Sequence, residues 1–260
     1  MQRVLFHETI FGPIHSRRLG TSLGVNLSPT DGKTCTFDCI YCEAGYNAQG
    51  TGSTGLPSKE KTLAELEEKL AGMKARGERL DVITFSGNGE PTIHPDFPAI
   101  IEGVIALRDK YFPDVKISVL SNSTMLRKPE VFEALKKIDN NILKLDSAFQ
   151  ETVDLLDRPV KGVEPIDIIT GHLTDYGGNC IVQTMITAGE HDGRAIDNST
   201  EQELDGLIGM YKKIRPKEVM LYTVDRPTPE KSLRHISRER LEEMAAKITR
   251  ETGIPVQVSA

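Results

Sequence analysis

The chain has 260 residues, a formal net charge of −6, few aromatic residues and no tryptophan. That length can bury a full hydrophobic core, and aliphatic side chains must supply most of it. The negative charge excludes a global electrostatic surface for nucleic acid, so binding to phosphates would need a local basic patch. No apolar stretch approaches the roughly 18 residues of a membrane span and no signal-peptide pattern is present, so we expect a cytoplasmic protein without membrane contact.

Segments with strand and helix periodicity alternate along the chain. The predicted strands are residues 23–27, 81–86, 115–120, 142–146, 180–186 and 217–222, with a last short strand at 254–258. The predicted helices are residues 62–76, 97–111, 129–137, 164–175, 199–213 and 237–251. Strands that alternate with helices form a parallel sheet with right-handed crossovers. We expect an α/β fold with a curved, incomplete (β/α)6 parallel barrel, although alternation alone does not exclude an open doubly wound sheet.

No linker, repeat or low-complexity block divides the chain, so residues 1–260 are predicted to form one domain. Residues 1–22 are interpreted as an N-terminal extension. Residues 35–42 form the loop that follows the first strand, and this loop holds three of the four cysteines. Residues 45–61 are rich in Gly, Ser and Thr, and they are interpreted as a flexible loop over the site.

The three clustered cysteines are Cys35, Cys39 and Cys42. They leave the carboxyl end of a predicted strand, which is where barrel enzymes place their chemistry. Three thiolates suit three irons of a 4Fe-4S cubane and leave the fourth iron open, whereas a structural zinc normally takes four ligands. Spacing alone leaves a zinc site open, with His94 or Cys180 as the further ligand. A lone thiol in a strand, such as Cys180, is more often a small buried apolar residue.

Small and polar residues follow the later strands at the same predicted edge of the sheet. They are Gly87, Asn88, Gly89, Glu90, Ser121, Asn122, Lys144, Asp146, Gln183 and Tyr222. Lys144 and Asp146 share one face of their strand by alternation, and inward charges are costly unless they are paired or used. The pattern indicates a polar binding rim. Plain turns after the second and third strands, and a mutual bridge between Lys144 and Asp146, are the structural alternatives.

The run from Cys35 to Cys42, CxxxCxxC with the aromatic Tyr41 before the last cysteine, resembles the radical S-adenosylmethionine (radical SAM) superfamily. The run from Gly87 to Glu90 is similar to the GGE-type motif of that superfamily, with Asn88 in place of the commoner second glycine. Further runs resemble its wyosine-synthetase-like clade. These are GPIHSRRLGTSLGVNL, FSGNGEPTIHPDF, LKLDSA, the DRP at residues 157–159, VQTM and LYTVDRPTPEK.

The resemblance implies two cofactors, a 4Fe-4S cluster ligated by Cys35, Cys39 and Cys42 and S-adenosyl-L-methionine on the open iron. It implies that Tyr41 lies near the adenine, and that the GGE-type motif holds the methionine amino group. The implied cofactor-binding set is Tyr41, Gly87, Asn88, Gly89, Glu90, Ser121, Asn122, Asp146, Gln183 and Tyr222. An electron donor such as flavodoxin or ferredoxin would reduce the cluster, and the resulting 5′-deoxyadenosyl radical would abstract hydrogen from a substrate.

The chain departs from the wyosine-forming enzymes because no cysteine precedes Cys35. We therefore expect a single-cluster member, and the tricyclic-base reaction on tRNA is not carried over. An RNA nucleoside is one candidate substrate, although the net charge does not support RNA. A peptide or a small metabolite is the alternative within the class of oxidoreductases and transferases.

Cationic residues near the predicted rim can hold a phosphate or a carboxylate of the substrate. The candidates are Arg17, Arg18, Lys144 and Arg226. The alternative of a different class is a zinc-binding structural or interaction module, in which the three cysteines and His94 hold the metal. Iron and sulfide analysis separates this module from the enzyme.

Overall fold

The computed structural model describes residues 3–16 and 19–260. Its strands are β1 (Ile10–Ser16), β2 (Gly20–Val25), β3 (Val82–Phe85), β4 (Lys116–Ser121), β5 (Asn140–Lys144), β6 (Ile181–Ile186), β7 (Ala188–His191), β8 (Arg194–Asp197), β9 (Glu218–Thr223) and β10 (Val256–Ser259). Eight of these described strands form one sheet in the order β1-β2-β3-β4-β5-β6-β9-β10. Every neighbouring pair is parallel except β1 and β2, which are antiparallel.

The α-helices connect the parallel strands and cover one face of the sheet. They are α1 (Lys59–Ala75), α2 (Phe97–Tyr111), α3 (Pro129–Lys136), α4 (Gln150–Leu156), α5 (Ile166–Thr174), α6 (Glu201–Ile214) and α7 (Arg238–Thr252). Hydroxyl caps begin three of them: the side chains of Ser58, Thr200 and Ser237 accept hydrogen bonds from backbone N–H groups in the first turns of α1, α6 and α7. These caps fix where the helices start.

Strand alternation divides the sheet into an outer and an inner face. Leu143 belongs to the large apolar cluster between the sheet and the helices. Its neighbour Ile142 belongs to a small inner cluster with Ile181 and Met220. Because side chains alternate along a strand, Lys144 shares the inner face with Ile142. In β5, β6 and β9 the inner face is therefore apolar in its middle and polar at the carboxyl ends of the strands.

The expected α/β architecture is confirmed: the sheet is mostly parallel, it is covered by helices and it is consistent with a partial barrel. Helix α2 has the predicted bounds, and most other elements differ from their predicted bounds by one to three residues. Helix α4 was not predicted because its seven residues are too few to show a helical period. The β7–β8 hairpin was also missed, since its two strands have four residues each.

The N-terminal segment differs from its interpretation as an extension. Residues 10–16 form β1 on the edge of the sheet, and the first parallel strand starts at Gly20 rather than at residue 23. Gly12 and Pro13 lie inside β1, where the register shifts between Phe11 and Ile14. Glycine and proline in a run normally mark a turn, but an edge strand tolerates both at a bulge. That composition hid the strand from the sequence pattern.

The segment interpreted as a flexible loop, residues 45–61, is shorter than predicted because α1 already begins at Lys59. Its middle is held by Asp31, whose carboxylate accepts hydrogen bonds from the backbone N–H and hydroxyl groups of Ser53 and Thr54. These bonds keep the pKa of Asp31 well below its usual value. Among the described helices, none combines the length and the apolar character needed to cross a membrane.

Candidate functional site

A cavity of about 270 Å³ opens at the carboxyl ends of the parallel strands. Residues from the loop after β2 and from the ends of β3, β4, β5, β6 and β9 line it. Of the predicted site residues, those that line the cavity are Cys35, Cys39, Tyr41, Cys42, Gly87, Gly89, Glu90, Ser121, Asn122, Lys144, Gln183 and Tyr222. These residues lie close together because the carboxyl ends of parallel strands lie at one edge of the sheet.

The loop that carries the three cysteines is anchored to the C-terminal end of α4. The backbone N–H of Asp38 donates to the carbonyl of Asp157 at 2.9 Å, and that of Ile40 donates to the carbonyl of Leu156 at 3.0 Å. Cys39 is buried, whereas Cys35 and Cys42 are half-buried. The end of helix α4, which was not predicted, therefore fixes the position of the cysteine loop.

The environment of Cys35 and Cys39 disfavours free thiolates in the metal-free chain. Burial, followed by the nearby Glu90 carboxylate, raises the pKa of Cys35 to about 12. Burial and the charge of Asp157 raise the pKa of Cys39 well above its usual value. A bound metal centre deprotonates its thiol ligands and supplies the positive charge that this site needs.

The donor set fits a multinuclear cluster better than a single zinc ion. Bonds of about 2.3 Å from zinc to sulfur would draw three thiolates around one point. Within residues 3–16 and 19–260, no three His, Cys, Asp or Glu side chains are gathered closely enough to hold one ion. A cubane places its ligands on separate irons and needs no such convergence.

His94 and Cys180, the residues that could have completed a zinc site, are used elsewhere. The Nε2 atom of His94 lies 2.8 Å from the carbonyl of Pro57, and its Nδ1 accepts a hydrogen bond from the backbone N–H of Asp96. Cys180 is completely buried in the apolar cluster between the sheet and the helices. The imidazole therefore holds the loop before α1, and Cys180 is a core residue.

The glycines after β3 are required by protein packing as well as by access to the cavity. A Cβ atom on Gly87 would lie 2.2 Å from Oδ1 of Asn26, and one on Gly89 would lie 1.8 Å from the carbonyl oxygen of Thr34. Gly89 also has a φ of +150°, which side chains rarely adopt. Thr34 immediately precedes Cys35, so the glycine lets the cysteine loop pack against the end of β3.

Asn88 faces away from the cavity, so its predicted contact with a cofactor is wrong for its side chain. The amide is completely buried, and its Nδ2 donates to the carbonyls of Phe6 and Pro29. Its Oδ1 accepts from the backbone N–H of Phe6 at 2.8 Å. The side chain ties the N-terminal segment to the site, which explains why asparagine stands at this position.

Glu90 is buried in a complete set of hydrogen bonds. Its carboxylate accepts from the backbone N–H and hydroxyl of Thr92, from the hydroxyl of Ser121 at 2.9 Å, and from the backbone N–H of Asn122 at 2.6 Å. Burial nevertheless raises the pKa of Glu90. The bonds join the ends of β3 and β4, and the amide of Asn122 in turn donates to Thr36 in the cysteine loop at 2.8 Å.

Two buried carboxyl groups surround the hydroxyl of Tyr41. Its oxygen lies 2.5 Å from Oδ2 of Asp146 and 2.8 Å from Oδ1 of Asp157. A phenol has one proton to donate, so both contacts are hydrogen bonds only when one carboxyl group is protonated. Burial and the charge of Asp146 raise the pKa of Asp157 well above its usual value, so Asp157 is the carboxyl group of the two that binds a proton more readily. Asp146 itself lies behind Tyr41 rather than in the cavity wall.

Lys144 pairs with Asp146 and also lines the cavity, so the two alternatives for these residues are not exclusive. Its Nζ lies 3.3 Å from Oδ2 of Asp146 and donates to the hydroxyl of Tyr222 at 2.7 Å. It also lies 4.9 Å from the centre of the Tyr41 ring. Burial lowers the pKa of Lys144, but the negative charges around it, to which Asp146 contributes most, together outweigh burial and raise the pKa.

Asp157 and Lys33 belong to the site, and the sequence did not single out either of them. The carboxyl group of Asp157 lies 3.5 Å from the sulfur of Cys39, although 118 residues separate the two. Lys33 lines the cavity and is completely buried. The sequence signals were the DRP run for Asp157 and, for Lys33, a cation two residues before the first cysteine.

The remaining candidate cations lie apart from the cavity wall. Arg226 is exposed, and it forms an ion pair of 2.9 Å with Glu43, which does line the cavity. It also lines a second, open cavity of about 540 Å³ together with Lys231 and His235. Arg17 and Arg18 lie outside the described residues.

Comparison with known proteins identifies the family. The pattern of the Radical SAM superfamily matches residues 30–198. The chain belongs to the radical SAM superfamily. It is 30% identical to UPF0026 protein slr1464 of Synechocystis sp. over 95% of both chains. It is also 28% identical to a protein named GTPase Obg from Brachyspira hyodysenteriae over 96% of this chain, which spans only 35% of that protein.

Radical SAM proteins of known structure share the fold. A radical SAM methyltransferase from Sphaerobacter thermophilus superposes with a TM-score of 0.63 at 17% identity, covering 92% of this chain and 65% of that protein. Streptococcus suis SuiB bound to S-adenosylmethionine has a TM-score of 0.63 at 16% identity, with 91% of this chain and 50% of that one covered. Membership of the family implies an enzyme that uses S-adenosylmethionine and a 4Fe-4S cluster.

Proposed function

We propose that the chain is a single-cluster radical SAM enzyme in which Cys35, Cys39 and Cys42 ligate the 4Fe-4S cluster. The carrying observation is that the three thiols share one cavity with the polar ends of five parallel strands. When bound, the reduced cluster would supply one electron to S-adenosylmethionine, and one carbon–sulfur bond of the sulfonium would break to give methionine and a 5′-deoxyadenosyl radical. A small electron carrier such as flavodoxin or ferredoxin is the proposed donor.

The residues of the chain bind and orient the cofactor. The backbone at Gly87 and Gly89 offers a surface without side chains next to the thiols. The amide of Gln183 faces the cavity at 5% exposure, and its side chain forms no hydrogen bond to the described residues, so it is ready to pair with a ligand. Asp146 and Asp157 lie outside the cavity wall, where their contacts with the hydroxyl of Tyr41 fix that ring. Glu90 lines the cavity and fixes the backbone of Asn122 beside it.

Anaerobic reconstitution followed by reduction in the presence of S-adenosylmethionine tests the proposal. The wild-type chain should bind about four irons and release 5′-deoxyadenosine, which mass spectrometry detects. Cys39→Ala should lose both properties. Cys180→Ala is the matched control, because it removes a thiol that lies in the core, and it should keep both. An intact cluster that never yields 5′-deoxyadenosine would contradict the proposal.

We further propose that the substrate carries an anionic group that binds beside Arg226. The Arg226–Glu43 pair lies at the edge of the cavity, and Lys231 and His235 line the adjoining groove. A phosphate or carboxylate could take the place of Glu43 in a charge-assisted hydrogen bond. An RNA nucleoside, as in the wyosine-synthetase-like clade, is the leading candidate, and a small anionic metabolite or peptide is the alternative.

Untargeted comparison of nucleosides and metabolites in cells with and without the gene should identify the substrate. With that substrate in hand, Arg226→Gln should raise KM roughly 10-fold or more, because a hydrogen bond between charged groups contributes about 1.5–3 kcal/mol. An RNA substrate also predicts a steep loss of binding with salt, and a small metabolite predicts little change. Unchanged KM in Arg226→Gln would refute the anionic contact.

A further inference from the structure

The ammonium group of Lys33 lies inside the protein, in the wall of the cavity that holds the three cysteines. Its side chain is 1% exposed and is one of the largest fully buried side chains of the described residues. A buried charge is costly unless other groups compensate for it. The chain therefore keeps a positive charge beside the thiols at a cost in stability.

The protein contacts of Lys33 satisfy only part of its hydrogen-bonding capacity. Its Nζ donates to the carbonyl of Gly45 at 2.8 Å, which is its one hydrogen bond to residues that the structure describes. Oδ1 of Asp38 lies 3.7 Å away, which is too far for a hydrogen bond. An ammonium group has three N–H donors, so two remain for an occupant of the cavity.

The charge of Asp38 does not neutralise Lys33 either, because it is shared. Its Oδ2 lies 3.6 Å from a guanidinium nitrogen of Arg158, and its Oδ1 accepts a hydrogen bond from the backbone N–H of Asn47 at 2.6 Å. Two cations thus face one carboxylate. Of the two cations, Lys33 is the buried one, so solvent and salt screen its charge less than that of Arg158.

We propose that Lys33 is the counter-charge of the 4Fe-4S cluster and that it raises the reduction potential of the cluster. This inference rests on the cluster of the proposed function. A cubane held by three thiolates carries one net negative charge when oxidised and two when reduced. A fixed positive charge beside it stabilises the reduced form more than the oxidised form. Net charge and hydrogen bonds to the sulfurs are among the quantities that set such potentials.

A purely structural role makes a different prediction. If Lys33 only fixes the loop through the carbonyl of Gly45, its removal should lower stability or cluster content and leave the potential of any cluster that forms unchanged. The reduction potential therefore separates the two roles. Activity alone would not, since both predict slower turnover.

The experiment is a redox titration of the reconstituted full chain, followed by the electron paramagnetic resonance signal of the reduced cluster, without S-adenosylmethionine. In Lys33→Met the ratio of reduced to oxidised cluster at a fixed potential should fall tenfold or more, which is a shift of about 59 mV for one electron. Lys33→Arg keeps the charge and should stay near the wild-type potential. Lys61→Met, a matched change at an exposed lysine of α1, should have no effect.

Asp38→Asn keeps the test decisive if Lys33→Met assembles no cluster. Asparagine retains the oxygen that accepts from Asn47 and removes the negative charge, so the potential should rise. An unchanged or higher potential in Lys33→Met, or an unchanged or lower one in Asp38→Asn, overturns the inference. A wild-type chain that assembles no cluster overturns both proposals. A wild-type cluster that never cleaves S-adenosylmethionine overturns only the proposed function, because the titration is done without that cofactor.

Discussion

Gly89→Ala is expected to disconnect the cysteine loop from the end of β3. The new Cβ would lie 1.8 Å from the carbonyl oxygen of Thr34, and ordinary contacts begin at 3.4 Å, so the two backbones must separate by about 1.6 Å. That movement breaks two hydrogen bonds of 3.0 Å, from the N–H of Thr34 to Asn88 and from the N–H of Glu90 to Thr34. The two bonds contribute about 1 kcal/mol each, and a strained φ adds about 1–3 kcal/mol.

The free energy of unfolding of Gly89→Ala should therefore fall by about 3–5 kcal/mol, against a total of roughly 5–15 kcal/mol for a domain. Urea unfolding of the metal-free chain, followed by circular dichroism, measures the change, and iron analysis measures the loss of loading. Gly209→Ala in α6 is the matched control: no atom lies near its new Cβ, so it should gain about 0.5–1 kcal/mol. A Gly89→Ala chain within about 1 kcal/mol of wild type and fully loaded with iron would refute the reasoning.

Three further predictions address the surroundings of the site. Tyr41→Phe leaves two buried carboxyl groups without their shared hydroxyl and should cost about 2–4 kcal/mol in urea unfolding, whereas Tyr111→Phe, which loses one hydrogen bond at the surface, should cost less than about 1 kcal/mol. Cys180 should resist alkylation in the folded chain and react after unfolding, because it is completely buried and its pKa is raised to about 12; rapid labelling of the native chain would contradict this. The pKa of Asp31 is lowered in the folded chain, so the stability from its bonds to Ser53 and Thr54, in the segment of residues 51–55, is fully present above the unfolded pKa of about 3.9 and is lost progressively as the pH falls through the lower folded pKa. Proteolysis in that segment should rise on acidification in wild type and already be fast at neutral pH in Asp31→Ala, and equal protection of the two chains would contradict this.

The elements with a strong period were predictable because their local pattern agrees with their final environment. Helix α2 was predicted with its observed bounds, since apolar residues repeat along it at helical spacing. Strand β1 and helix α4 lack such a local pattern and were not predicted. The first carries a Gly-Pro pair at a bulge, and the second is shorter than two helical periods. Their positions depend on β2 and on the cysteine loop, which are tertiary partners.

Site residues divide in the same way. Gln183 and Tyr222 were found because a polar group near the end of a buried strand is visible in one segment. The role of the Asn88 side chain was misread, because its hydrogen-bond partners are remote in the chain. The carbonyl of Pro29 is 59 residues away and that of Phe6 is 82 residues away. Nothing local distinguishes an asparagine that binds a ligand from one that ties down a remote backbone.

The sequence by itself determined the family to which this protein belongs and predicted its chemistry: three cysteines at a fixed spacing on one short loop are suited to three irons of a cluster, and that requirement is local. Only the tertiary structure decided what surrounds them. It brought the carboxyl group of Asp157 to 3.5 Å from the sulfur of Cys39. It also buried Lys33 in the wall of the cavity that the three cysteines line. Electrostatic and packing interactions depend on distance in space, and the fold of the parallel sheet sets those distances between segments that the sequence keeps far apart.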